Sequence, residues 1–146
     1  MTINYNSLDC DYLCGRFPEL KYSATAENEW SGENLPHCLF GNILNPLVTD
    51  LLKRENYKTN PLLERIFCMY EDFAEYGDTE TKNLLQVTLL EYLWDEYITY
   101  SRALELMGEH TKDINKNIAD YISVPKEVNY GRNNRKNKRS CRICRS

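Results

Sequence analysis

Carboxylates dominate the side chains able to do chemistry in this chain. Between residues 64 and 109 there are eleven acids against Arg65, Lys82 and Arg102, a local balance of −8. Glu64, Glu71 and Glu75 stand seven and four residues apart, which places them on one helical face, with Asp72 beside them. Asp78 and Glu80 continue the series past Gly77, and Asp95 and Glu96 are expected to begin a later helix. Like charges one helical turn apart repel, so a pair such as Glu71–Glu75 costs a few tenths of a kcal/mol or so. A surface adverse to folding is explained by a basic partner that offsets it, which makes these eight acids candidate binding contacts. A solvated face, with some acids simply favouring helix N-termini, explains the same pattern.

Other chemistries have less to work with. His37 and His110 each stand in or next to a connection and are expected as loop or cap residues. There is no Ser/His/acid order, phosphate-binding loop, dinucleotide fingerprint or His-rich metal spacing, so neither an enzyme nor a cofactor is expected. Cys141 and Cys144 have the spacing of half a zinc site, and Cys10 and Cys14, one helical turn apart, would add two thiolates. Cys38 and Cys68 sit in apolar runs and read as small buried hydrophobes. Glu91 interrupts the most apolar stretch, Leu89 to Trp94, and needs a partner if buried; Arg102 or a helix terminus is expected to supply it.

The elements that must position these groups are helical throughout. A first short helix is expected after Ser7 with Gly15 as its stop, and a second opens at Pro18 and runs to about residue 30. Leu39, Phe40, Ile43, Leu44, Leu47, Val48, Leu51 and Leu52 form the stripe of an amphipathic helix over residues 36–54, with a kink or restart near Pro46. Asn60 and Pro61 start the next helix, buried through Leu63, Ile66, Phe67, Tyr70 and Phe73 and ended by Gly77. Asp78 caps a helix over about 79–94 that is apolar nearly all round and therefore central. A further one spans about 95–107, and Thr111 caps the last. The fold expected is all-α: one domain of about six helices in antiparallel hairpins, either a bundle or a degenerate α-solenoid of the HEAT/armadillo kind.

The chain has 146 residues, 42% apolar and 27% charged, enough for one domain with a core of its own. Its net charge of −4 hides a split between residues 1–124, at −11, and residues 125–146, at +7. That divides the chain into a helical domain over 1–124 and a basic tail, expected to be disordered, over 125–146. The opening residues carry neither a basic nor an apolar signal region, so a cytoplasmic location with reduced thiols is expected. No apolar run reaches the length of a membrane span, and a body at −11 opposes direct nucleic-acid contact.

The segments Leu35 to Pro46, Glu71 to Asp78, Leu84 to Leu93 and Met107 to Thr111, in that order, resemble the small α-helical immunity proteins of bacterial contact-dependent growth inhibition and related polymorphic toxin systems. The similarity spans about residues 17–121. It implies a single-domain bacterial antitoxin that binds a toxin domain and blocks its active site, the toxin being a nuclease with a basic cleft, for which an EndoU-type RNase is the suggested class. Two alternatives stay open: a helical-repeat adaptor for an endogenous protein, and a zinc- or nucleic-acid-binding module run by the tail.

Overall fold

In the computed structural model of the chain, residues 1–31 and 35–122 are described. The expected loop at residues 32–34, the basic tail and its Cys141 and Cys144 lie outside them.

The chain opens with a 3-10 turn (Tyr5–Ser7) and α1 (Cys10–Arg16). The cap of α1 is Asp9, whose carboxylate accepts from Tyr12 N at 2.9 Å, and not the expected Ser7, whose hydroxyl instead donates to Asn4 O. An ionised acceptor next to the helix N-terminus is the stronger cap. Gly15 lies inside α1, which Phe17 closes by donating to Leu13 O. A 3-10 turn at Pro18–Leu20 leads into α2 (Lys21–Ser31), and α3 follows (Pro36–Leu52).

No restart interrupts α3 at Pro46. That residue is exposed, so its ring sits on the solvent side and the buried face continues through Leu44, Val48, Leu51 and Leu52. After a 3-10 turn (Tyr57–Thr59), α4 (Pro61–Tyr76) begins as expected, with the Asn60 side chain accepting from Leu63 N. All five core positions read for it are buried. Cys68 is not; it is exposed.

Asp78 caps the central element, accepting from Thr81 N at 2.9 Å. That element is more than the single α-helix expected: α5 (Thr79–Asn83) passes into a π-helical stretch (Leu84–Leu90) and a last turn, α6 (Glu91–Leu93). The wider winding meets α3 at Thr88, whose hydroxyl pairs with His37 Nδ1 and whose carbonyl accepts from Asn45 Nδ2 at 3.0 Å. The chain then forms α7 (Tyr97–Leu106) and α8 (Glu109–Ile118).

The result is a small all-α single domain in which helices distant in sequence pack together: α4 on α8, α3 on α7, and the π stretch on both α3 and α8. A solenoid joins only neighbours, so these contacts make a bundle. Leu84, Leu85, Leu89 and Leu90 are buried at its centre, as an all-round apolar segment requires. Phe40 and Phe73 pack with ring centroids 6.0 Å apart beside them. Among the described residues no strand forms beyond one bridge, Ile3 with Gly77, and no helix is long and apolar enough to cross a membrane.

Candidate functional site

The eight acids singled out from the sequence divide into those that hold the fold and those that face outward. Glu71 belongs to the first group. Its Oε1 accepts from the Thr111 backbone N–H at 2.9 Å and the Thr111 hydroxyl at 2.8 Å. Its Oε2 accepts from the His110 backbone N–H at 2.9 Å and contacts His110 Nδ1 at 2.7 Å. A carboxylate on α4 thus caps the first turn of α8, whose own cap position is Gly108 and brings no side chain. Burial by itself pushes this carboxyl up, but the four hydrogen bonds together outweigh it and hold its pKa at about 2.

Asp78 is likewise structural: besides capping α5 it accepts from Tyr5 N, and these bonds hold its carboxyl below the usual range. Asp72 pairs with Arg16 at 2.9 Å and Glu96 with Lys53 at 3.0 Å. Asp95 is buried, and neither it nor Glu96 lies within α7. Glu64, Glu75 and Glu80 remain exposed. Much of the charge that looks adverse in the sequence is therefore consumed by caps and ion pairs.

Glu91 is buried as its apolar context demands, and it accepts from the Tyr121 hydroxyl at 2.9 Å. Arg102 is not the group that meets it. Its guanidinium donates to Leu52 O at 2.7 Å and Arg54 O at 3.2 Å, and lies 4.5 Å from the Tyr57 ring centroid. Carbonyls at the C-terminus of α3 carry negative partial charge, so that end attracts the cation.

One of these outward acids, Glu64, lines a groove. Glu64, Phe67, Cys68 and Glu71 of α4 face Leu106 and Gly108 across a space of about 210 Å³. Phe67 and Leu106 supply an apolar wall, and Glu64 stands on its rim. Glu75 lies two turns of α4 further along the same face as Cys68, and exposed Glu109 follows Gly108 at the start of α8. Among the described residues neither Glu64 nor Glu109 has a cation within ion-pair distance, while Glu75 bonds the Tyr76 side chain and has the His110 ring at 4.0 Å. Cys68 was missed as a site residue because its neighbours are apolar. Its offset of four from Glu64 and three from Glu71 was the signal that it shares their face.

Neither histidine is a loop residue. His37 is buried in the first turn of α3; burial lowers its pKa, and the charge of Glu80 opposes this in part. His110 is raised, first by its hydrogen bond to Glu71 and then by Glu75 and Glu109. In an NMR titration His110 will therefore titrate above the ordinary 6.5 and His37 below it. The His110 contribution to stability is full below pH 6.5 and lost as pH rises through its raised pKa. An equal or inverted order of the two rings would contradict these surroundings.

Glu71, Glu75 and His110 bring three possible metal-ligand atoms within 4.8 Å of one another. Both Glu71 oxygens already accept two contacts each, so this grouping serves the helix cap. Of the described cysteines, Cys10, Cys14 and Cys68 are free, and Cys38 is buried as expected.

A family described as a domain of unknown function (DUF7674) matches residues 10–122. No curated protein and no solved structure matches the chain.

Proposed function

The chain belongs to the DUF7674 family, and we propose that it is an immunity protein that silences a toxin domain by seating a basic segment of it on the groove between α4 and the turn that joins α7 to α8. The observation that carries this reading is the groove itself. Its apolar wall of Phe67 and Leu106 has Glu64 on its rim, and exposed Glu75 and Glu109 follow further along α4 and just past Gly108; none of the three meets a lysine or arginine among the described residues. An arginine or lysine side chain has the complementary form, an apolar stem ending in a cation. A nuclease cleft is rich in such side chains because it must hold phosphates. Seating them on the groove would deny them to the substrate, and opposite charge would speed the capture.

Of the eight acids first considered, only Glu64 and Glu75 stay in this reading, joined by Glu109: Glu71, Asp72, Asp78 and Glu96 are bonded within the fold, Asp95 is buried, and exposed Glu80 does not line the groove. The test is co-purification of the chain with the product of the gene immediately upstream, followed by a binding titration at two salt concentrations. Glu64→Lys, Glu75→Lys and Glu109→Lys combined should weaken binding at least tenfold, more at low salt, with the fold intact. Unchanged affinity would remove the groove as the contact surface. Capture of a non-toxic endogenous protein through the same groove would replace the immunity reading with that of an adaptor.

A further inference from the structure

A second site stands on α1, away from the acidic groove in composition and chemistry. Cys10 and Cys14 are both free and half-buried, and their sulfurs lie 3.9 Å apart across one helical turn. Two Zn–S bonds of about 2.3 Å meeting at the tetrahedral angle span about 3.8 Å between sulfurs. The pair therefore already has the bite of two thiolates on one metal ion. Side chains at i and i+4 on a helix are a recurring way to present two ligands to one cation, since both leave the same face.

The helix that carries them is fixed in place. Asp9 caps its first turn, Leu13 is fully buried, and the Tyr12 ring packs against Phe40 and Phe73 at centroid distances of 6.4 and 6.1 Å. Arg16, at its end, is tied to Asp72 on α4. Rotation of α1 is thus blocked from two sides, and the two thiols are held in register, which lowers the ordering a metal would otherwise have to impose.

We propose that Cys10 and Cys14 form a dithiolate site for a thiophilic metal cation of the zinc class. Binding replaces the two S–H protons by the cation: one M²⁺ and two thiols give the bis-thiolate and two H⁺ released to solvent. No electron changes hands. Among the described residues no third His, Cys, Asp or Glu ligand gathers with the pair, so these residues contribute two thiolates and further donors or water complete the coordination.

Cobalt(II) is a suitable probe, because thiolate ligation produces a charge-transfer absorption that oxygen and nitrogen ligands do not. Titrating the full chain under anaerobic conditions should develop that band at one equivalent, and zinc should bleach it. Cys10→Ser and Cys14→Ser should each weaken cobalt binding at least tenfold, while Cys68→Ser, which changes the exposed free thiol of α4, should leave the titration unaltered. On the unsubstituted chain, one equivalent of zinc should protect Cys10 and Cys14, but not Cys68, from alkylation read by mass spectrometry. The proposal is overturned by the absence of the band, by its survival in both serine variants, or by loss of the two thiols to a disulfide before metal is added.

Discussion

Replacing Glu71 by alanine will lower the stability of the fold by about 3 kcal/mol, a large loss for one α4 side chain that is a quarter exposed. The substitution leaves the N–H groups of His110 and Thr111 and the Thr111 hydroxyl without their acceptor. Losing an ordinary cap costs about 1 kcal/mol, and losing hydrogen bonds to a charged acceptor costs about 1.5–3. The packing of α8 on α4 is loosened with them, since Glu71 makes the four hydrogen bonds that tie the first turn of α8 to α4. Even the absence of a side chain at residue 108 serves this seat: a Cβ there would fall 2.4 Å from Glu71 Oε1.

Acid supplies an independent check on the same residue. The carboxyl falls from an ordinary 4.5 to about 2 on folding, a shift that corresponds to about 3 kcal/mol. A depressed carboxyl stabilises above its unfolded pKa, and that stability is lost as pH falls through the folded one. Urea midpoints of the parent chain should therefore drop between about pH 5 and pH 2. The Glu71→Ala variant, already without this contribution, should drop less, so the two curves should converge at low pH. Parallel curves across that range would show that Glu71 is not the cap.

The contrast between Glu71 and Glu64 explains what was legible in the sequence and what was not. Helical period placed both on one face of α4, correctly, because spacing along one helix is a local property. Which of them would meet α8 depends on how α4 and α8 cross, and that is set by contacts made between residues about forty apart. The same holds for Arg102: its type and its helix were readable, but the end of α3 that it caps was not. Local signals such as Asn60-Pro61, Gly77 and Asp78 survived intact because each acts within four residues of itself. The π winding at Leu84–Leu90 left no local sign, since Leu, Val and Thr at those positions suit an α-helix equally; the hydrogen bonds of His37 and Asn45 to Thr88 come from another helix.

Two glycines separate the same way, and one substitution applied to both should give opposite signs. Gly15→Ala in α1 adds a Cβ that meets nothing within 4 Å, in an exposed helical position. It should raise stability by about 0.5–1 kcal/mol, through the smaller entropy the alanine chain loses on folding. Gly77→Ala adds a Cβ 2.4 Å from the Phe73 carbonyl oxygen and 2.8 Å from Thr81 Cγ2. The nearer obstacle is backbone at the end of α4, so the clash cannot be relieved by turning a side chain. It falls where the N-terminal segment is tied down, with Ile3 N donating to Tyr76 O at 2.8 Å and Asp78 N donating to Ile3 O at 2.9 Å. A cost of about 3 kcal/mol is expected, at the upper end for overpacking, because displacing Gly77 also loosens those two bonds and the turn before α5. Urea denaturation of the two variants beside the parent measures both. A destabilised Gly15→Ala would mean that α1 is not helical at that residue, and a neutral Gly77→Ala would mean that the junction between α4 and α5 is more open than its hydrogen bonds require.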